Sequence, residues 1–186
     1  MSCNFVVSMD FEAFHRLCKQ RKSVRFYSDQ LLTKEEVNSL LQLALLSPSV
    51  ENTQPWHFHI ILNPKLCCQL KETSCYGNFV EGAGALIIVT CEKSVLPESK
   101  HVLWNPRELE YSCVSAVENI LLGATAMGLG SCWVSLQHGK AAEILNIPRT
   151  QVIIGGVMIG HSKGGEKDGV VDHDHKTLEE VCTWHE

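Results

Sequence analysis

Polar and apolar positions alternate along this chain with two periods, and the switches between them lay out its elements. After Asp10, apolar residues fall at Phe11, Phe14, Leu17 and Cys18, the spacing of one helix face. Asp10 is suited to cap that face, so the pattern predicts a helix to about Gln20 with those four residues as its buried stripe. Thr33-Lys34-Glu35-Glu36 is a capping-box pattern. Val37, Leu40, Leu41, Ala44 and Leu45 continue it as one apolar face until Ser47-Pro48-Ser49, where proline disfavours helical geometry in the residue before it. Trp56, Phe58 and Ile60 then alternate with His57, His59 and Ile61, which predicts a strand with two distinct faces.

The second half reads in longer blocks. A short helix over 66–70 precedes a continuous apolar strand over 83–90, of the kind a sheet covered on both faces requires. Residues 92–108 form a polar, proline-punctuated loop. From about Glu108 to Met127 the chain is apolar on most sides through Val114, Val117, Ile120, Leu121, Leu122, Ala124 and Ala126, which predicts a central helix or one at a subunit interface. Gly128-Leu129-Gly130 stops it before another strand. A short helix over 141–145, a strand over 152–159 and a glycine-rich loop over 160–169 complete the pattern, with no internal repeat.

Composition narrows the classes. At 186 residues, 45% hydrophobic and 20% charged, the chain fits one domain over 1–186 with a sizeable core. A net charge of −5 carries neither a nucleic-acid footprint nor an affinity for anionic membrane surfaces. No apolar run reaches membrane-spanning length. Nine cysteines, an odd number without a Cys-x-x-Cys pair, fit reduced thiols of a cytoplasmic protein better than disulfides, zinc or an iron–sulfur cluster. Cys113 and Cys132 read as packing, and no side chain is assigned as catalytic or as a metal ligand. His173-Asp174-His175 places imidazoles two apart, which an ion could share, but a solvated polar tail is the favoured reading.

The candidate chemistry lies in Arg21-Lys22-Ser23-Val24-Arg25. In an extended chain, residues two apart point the same way, so Arg21, Ser23 and Arg25 can converge on one anion. Guanidinium forks and a hydroxyl suit a phosphate. The same cations at the end of a helix are also what the macrodipole favours, and these residues alone leave both readings open.

A resemblance covers nearly the whole chain. Arg21-Lys22-Ser23-Val24-Arg25-Phe26-Tyr27, then Ser47-Pro48-Ser49-Val50-Glu51-Asn52-Thr53-Gln54-Pro55-Trp56-His57-Phe58, resembles the nitroreductase family of FMN-dependent oxidoreductases. Residues 118–124 with 128–134, and the terminal Leu178-Glu179-Glu180-Val181, are similar to the family's interface helix, following strand and C-terminus. The resemblance implies a three-layer α+β fold, its central, mostly antiparallel sheet flanked by helices, in an intertwined homodimer with FMN at the interface. It implies that Arg21, Lys22 and Ser23 belong to the phosphate and ribityl end and that Arg25 lies at the flavin pyrimidine edge. Pro48, Ser49, Val50 and Asn52 match the loop contacting the flavin from the other subunit, and Ser135, Leu136 and Gln137 match the region whose backbone amides approach flavin N5 and O4. Where relatives carry a basic pair near the C-terminus, this chain offers Lys176, with His175 as a pH-sensitive second donor. The implied activity is ping-pong hydride transfer from NAD(P)H, or electron supply from another donor such as a ferredoxin or flavodoxin, to a small aromatic oxidant such as a nitroaromatic or quinone. A different flavin reaction, such as dehalogenation or dehydrogenation, and a non-catalytic redox sensor stay open, since the compressed 78–82 segment replaces a longer connection common in the family.

Overall fold

Among the described residues, four strands and two layers of helices build the fold, and each layer follows from a pattern of side chains. The computed structural model describes residues 10–74, 82, 84–95, 105, 107–163 and 175–185. Ala83, residues 78–81, Trp104, most of the 92–108 loop, residues 164–169, His173 and Asp174 lie outside them.

Strands β1 (Trp56–Ile61), β2 (Ala85–Glu92), β3 (Gly130–Val134) and β4 (Gln151–Gly160) form one antiparallel sheet in the order β1-β2-β4-β3. β2 is buried from Ala85 to Cys91, as a strand covered on both faces must be. It starts two residues later than its apolar run, because Gly84 bends under Leu32. Ile87, Val89, Val157 and Ile159 face a layer made by α2 (Lys34–Leu45) and α4 (Arg107–Ala126). Leu86, Ile88, Met158 and Val134 face the other way, toward the layer holding α3 (Pro64–Lys71) and α5 (His138–Leu145). The three-layer α+β architecture expected from the sequence is therefore the one found.

Local signals translate into caps. Asp10 accepts the Glu12 amide at the start of α1 (Phe11–Gln20). Thr33 and Glu36 close a reciprocal box on α2, and these bonds to Thr33, backbone first, hold the Glu36 carboxyl below its ordinary range. α4 stops in a Schellman motif: Gly128 takes a left-handed φ of 72°, and the Leu129 N–H reaches back to the Ala124 carbonyl at 2.8 Å.

One expectation fails: the stripe on α1 is not buried, since Phe11 is 73% exposed, Phe14 43%, and no residue of α1 is buried. α4 is central, as one of its two expected positions requires, but keeps an outward strip at Tyr111, Val114 and Glu118. Among the described residues no element of the chain lies over either surface to cover it.

α2 crosses α4 at Gly123, where an added Cβ would stand 2.6 Å from Leu43 Cδ1 and 3.1 Å from Leu40 Cδ2. Gly123→Leu is expected to force the helices apart and destabilise the fold by about 1–3 kcal/mol, read as a lower urea midpoint at unchanged slope.

Candidate functional site

The segment after α1 is extended from Arg21, whose φ and ψ are −61° and 121°. It lies along the outer edge of β3: Ser23 pairs with Ser131 in a parallel bridge, and the Val24 N–H donates to the Ser131 carbonyl at 2.9 Å. Val24 and Tyr27 are buried, and the Tyr27 hydroxyl donates to the Val24 carbonyl at 2.7 Å. The close fit needs Gly130, whose added Cβ would stand 2.7 Å from Val24 Cγ1. With Val24 turned into the core, alternation turns Arg21, Ser23 and Arg25 out together.

The Arg25 guanidinium donates to the Ser23 carbonyl at 3.3 Å, which holds it along this segment. Burial pushes the nearby Cys132 thiol up, while Arg25, a hydrogen bond with Ser23, and Arg21 pull it down. Beside them Ser131, 2% exposed, has an Oγ with no hydrogen-bond partner among the described residues. Lys22 is turned elsewhere: with Val24, Thr125 and Gly128 it lines a separate cavity of about 230 Å³.

A second group forms where α2 ends. Residues 47–55 contain a single 3-10 turn, Val50–Asn52, and three non-glycine residues at positive φ: Glu51 at 46°, Asn52 at 56° and Gln54 at 48°. Such geometry is costly for L-residues and persists only where its surroundings enforce it. α4 does so with three polar side chains on one face. The Ser112 hydroxyl accepts the Val50 N–H at 3.1 Å, the Ser115 hydroxyl donates to the Pro48 carbonyl at 3.1 Å, and the Asn119 amide donates to Ser47 Oγ at 2.7 Å. Within the loop, Ser49 Oγ accepts the Gln54 N–H and Thr53 Oγ1 donates to the Val50 carbonyl. The predicted Pro48, Ser49 and Val50 line a cavity of about 350 Å³, with Glu108, Tyr111, Ser112 and Ser115 of α4 opposite. Asn52 is exposed beside it.

The sequence reading missed Ser112, Ser115 and Asn119. Their signal was spacing, since they recur on one face of an otherwise apolar helix. Their partners stand 62, 67 and 72 positions away in the chain, which no local pattern reveals.

The remaining predicted residues divide. Ser135 is exposed and Leu136 buried in the turn before α5, where Leu136 bridges Ser74. The Gln137 amide already donates to the Thr73 carbonyl at 2.6 Å. His175 and Lys176 are exposed before α6 (Leu178–Val181). Cys91 and Cys113 are fully buried, and the hydrogen bond between them draws the Cys91 thiol down while, with burial, it drives the Cys113 thiol up; enclosed in the core, both read as packing. No cluster of three or more metal-binding side chains occurs among the described residues, nor any helix long and apolar enough to cross a membrane.

The strap of residues 21–25 thus lies by the C-terminal end of α4 and the loop by its N-terminal half. From Ser112 to Thr125 the helix axis runs about 20 Å. Residues 18–161, a span that includes both the strap and the loop, match the nitroreductase family model. The chain belongs to the nitroreductase family. It is 34% identical over 153 residues to an Archaeoglobus fulgidus protein named for NADH dehydrogenase or NAD(P)H nitroreductase activity, covering 80% of this chain and 84% of that one. It is 29% identical over 164 residues to the oxygen-insensitive NADPH nitroreductase of Helicobacter acinonychis, covering 70% and 78%. The fold matches a Desulfovibrio desulfuricans nitroreductase crystallised with FMN, with a TM-score of 0.79, 24% identity and coverage of 93% and 96%. Family members of this kind are oxidoreductases.

The anchoring of the loop is directly measurable. Ser112→Ala removes the acceptor of the Val50 N–H, and hydrogen exchange of that amide is expected to accelerate about five- to tenfold, for a net loss of about 1 kcal/mol. Exchange in β2 should stay at its wild-type rate.

Proposed function

We propose that this chain is an FMN-dependent NAD(P)H oxidoreductase that works as a homodimer, with the strap of one protomer and the 48–52 loop of the other meeting on one flavin. The observation that carries this reading is the separation of the two half-sites. They stand about 20 Å apart along α4, while the residues of each present surfaces suited to one cofactor. The donor set fits FMN: two guanidiniums and a hydroxyl converge beside the orphaned, buried Ser131 Oγ. The uncovered apolar residues Phe11, Phe14, Val114 and Trp184 supply what a second copy would bury.

The roles follow from position. Arg21 and Ser23 hold the phosphate end, Arg25 places a cation at the pyrimidine edge, where it stabilises negative charge as the ring is reduced, and the Ser135 and Leu136 amides face the polar ring atoms. FMN bound there supplies the two-electron chemistry that side chains lack. Its net reaction takes NAD(P)H, a proton and a nitroaromatic to NAD(P)⁺, a nitroso product and water, or a quinone to its hydroquinone. The nicotinamide leaves before the oxidant enters the same face. His175 and Lys176 reach the phosphate only from a tail repositioned against a second copy.

Purified protein incubated with FMN should be yellow and should bleach under anaerobic NADH or NADPH. A protein that takes up no FMN would sink the proposal, and one that stays coloured points to another electron donor or to a sensor. The shared site has its own test. Arg21→Ala and Asn52→Ala homodimers should each retain FMN about tenfold less well, the effect of removing roughly one charge-assisted or polar hydrogen bond to the cofactor. Subunit exchange between them should restore tight binding to half the sites of each mixed dimer, because one site then carries both lesions and the other neither. No recovery after verified exchange would place strap and loop on the same flavin within one chain.

A further inference from the structure

The cavity of about 350 Å³ beside the 48–50 loop has a wall that the cofactor-binding groups above do not use. α4 is mostly a core helix, yet on its first turns two lining residues are turned outward: Tyr111, 61% exposed, and the half-buried Glu108. They stand three apart and so share a face. Pro48 and Val50 complete an apolar surround across from them.

Among the described residues, Glu108 is the one charged side chain lining this cavity. Its carboxylate accepts a long, 3.5 Å bond from the Asn105 N–H and forms no ion pair among the described residues. Glu110, two positions on, is by contrast paired with Lys93. The cavity therefore has an aromatic face, an apolar floor and, at its side, one negative charge held by the first turn of α4 and by no ion pair among the described residues. Its size is that of a small-molecule site.

We propose that Tyr111 and Glu108 set the substrate range of this enzyme: Tyr111 gives a planar aromatic oxidant a ring to stack on, and Glu108 repels anionic ones. Neutral and cationic nitroaromatics and quinones are then reduced in preference to carboxylated or sulfonated analogues of the same size. The inference rests on the flavin reading, since the oxidant enters this cavity only where a bound ring forms its remaining wall. A carboxylate a few ångströms from a like charge in a half-buried pocket discriminates by roughly tenfold, and added salt weakens that discrimination. The Tyr111 ring acts on all planar substrates alike, so it raises affinity without choosing between charges.

The test uses FMN-loaded protein and two probes of nearly equal shape, 4-nitrobenzamide and 4-nitrobenzoate. The readout is the ratio of their kcat/KM values, compared between variants so that intrinsic reactivity cancels. Glu108→Gln is expected to shift that ratio toward the benzoate by about tenfold in low salt and by much less in about 0.5 M salt. Glu108→Lys should shift it further. Tyr111→Leu should raise KM for both probes by a similar factor of about five to ten, while Tyr111→Phe stays near wild type. A ratio that moves less than twofold in Glu108→Gln and Glu108→Lys, in protein that still bleaches with NAD(P)H, overturns the inference. A Glu108→Gln variant whose FMN affinity changes while the ratio does not also overturns it, since Glu108 would then serve the cofactor. Absence of FMN uptake or bleaching in wild-type protein, recorded before any oxidant is added, removes the flavin reading itself.

Discussion

α4 must satisfy two demands at once, and most of this molecule is arranged around how it does so. One side is core, where Leu109, Cys113, Ala116, Val117, Ile120 and Ala124 pack against the sheet and α2. The adjoining face carries Ser112, Ser115 and Asn119, whose polar groups need partners once α2 and its loop settle over them. The loop supplies those partners from Ser47, Pro48 and Val50, and then turns through left-handed geometry at Glu51, Asn52 and Gln54. The strain is thus held by hydrogen bonds that a buried helix cannot leave unmade. A loop fixed this way presents Pro48, Ser49 and Val50 in one arrangement, which is the preorganisation a redox pocket requires.

Much of this was legible in the sequence because it is local. The capping box at Thr33, the proline stop at Pro48 and the two-residue alternation of Arg21, Ser23 and Arg25 each depend on neighbours a few positions apart, and each reappears in the fold. What was not legible depends on distant or missing partners. The side of the strap on which Lys22 falls is decided by Val24 packing on Gly130, more than a hundred residues away. The engagement of the Gln137 amide by Thr73 is set by how α3 and α5 meet. The stripe of α1 reads as buried because apolar periodicity reports that a face must be covered, not by which molecule. The family resemblance was readable early because its residues cluster in the strap and the loop, the two places where backbone geometry is least forgiving.

The charges carry the same division of labour. A chain of net charge −5 keeps its useful cations local, and Arg21 and Arg25 are held outward on an edge whose neighbouring thiol is buried and protonated. A local cation pair binds an anion without making the whole surface attractive to polyanions. At the other end of α4 the charge lining the cavity is an acid, so the two groups are electrostatically unlike, and on the proposed reading one would keep an anion and the other turn anions away.

That contrast gives the separation of the half-sites a chemical consequence. Were both on one surface of one chain, the guanidiniums and Glu108 would partly neutralise each other across the pocket, and neither the grip on a phosphate nor the discrimination between oxidants would be strong. A stiff helix of 20 residues holds them apart within the protomer. In the proposed homodimer, association would juxtapose strap and loop along the length of a cofactor, with the cations at its phosphate and pyrimidine edges and the acid at its open face. The apolar face left bare on α1 and α4 is what such an association would bury, so the same exposed residues that look anomalous in one chain are the ones that would bring its two kinds of charge into register.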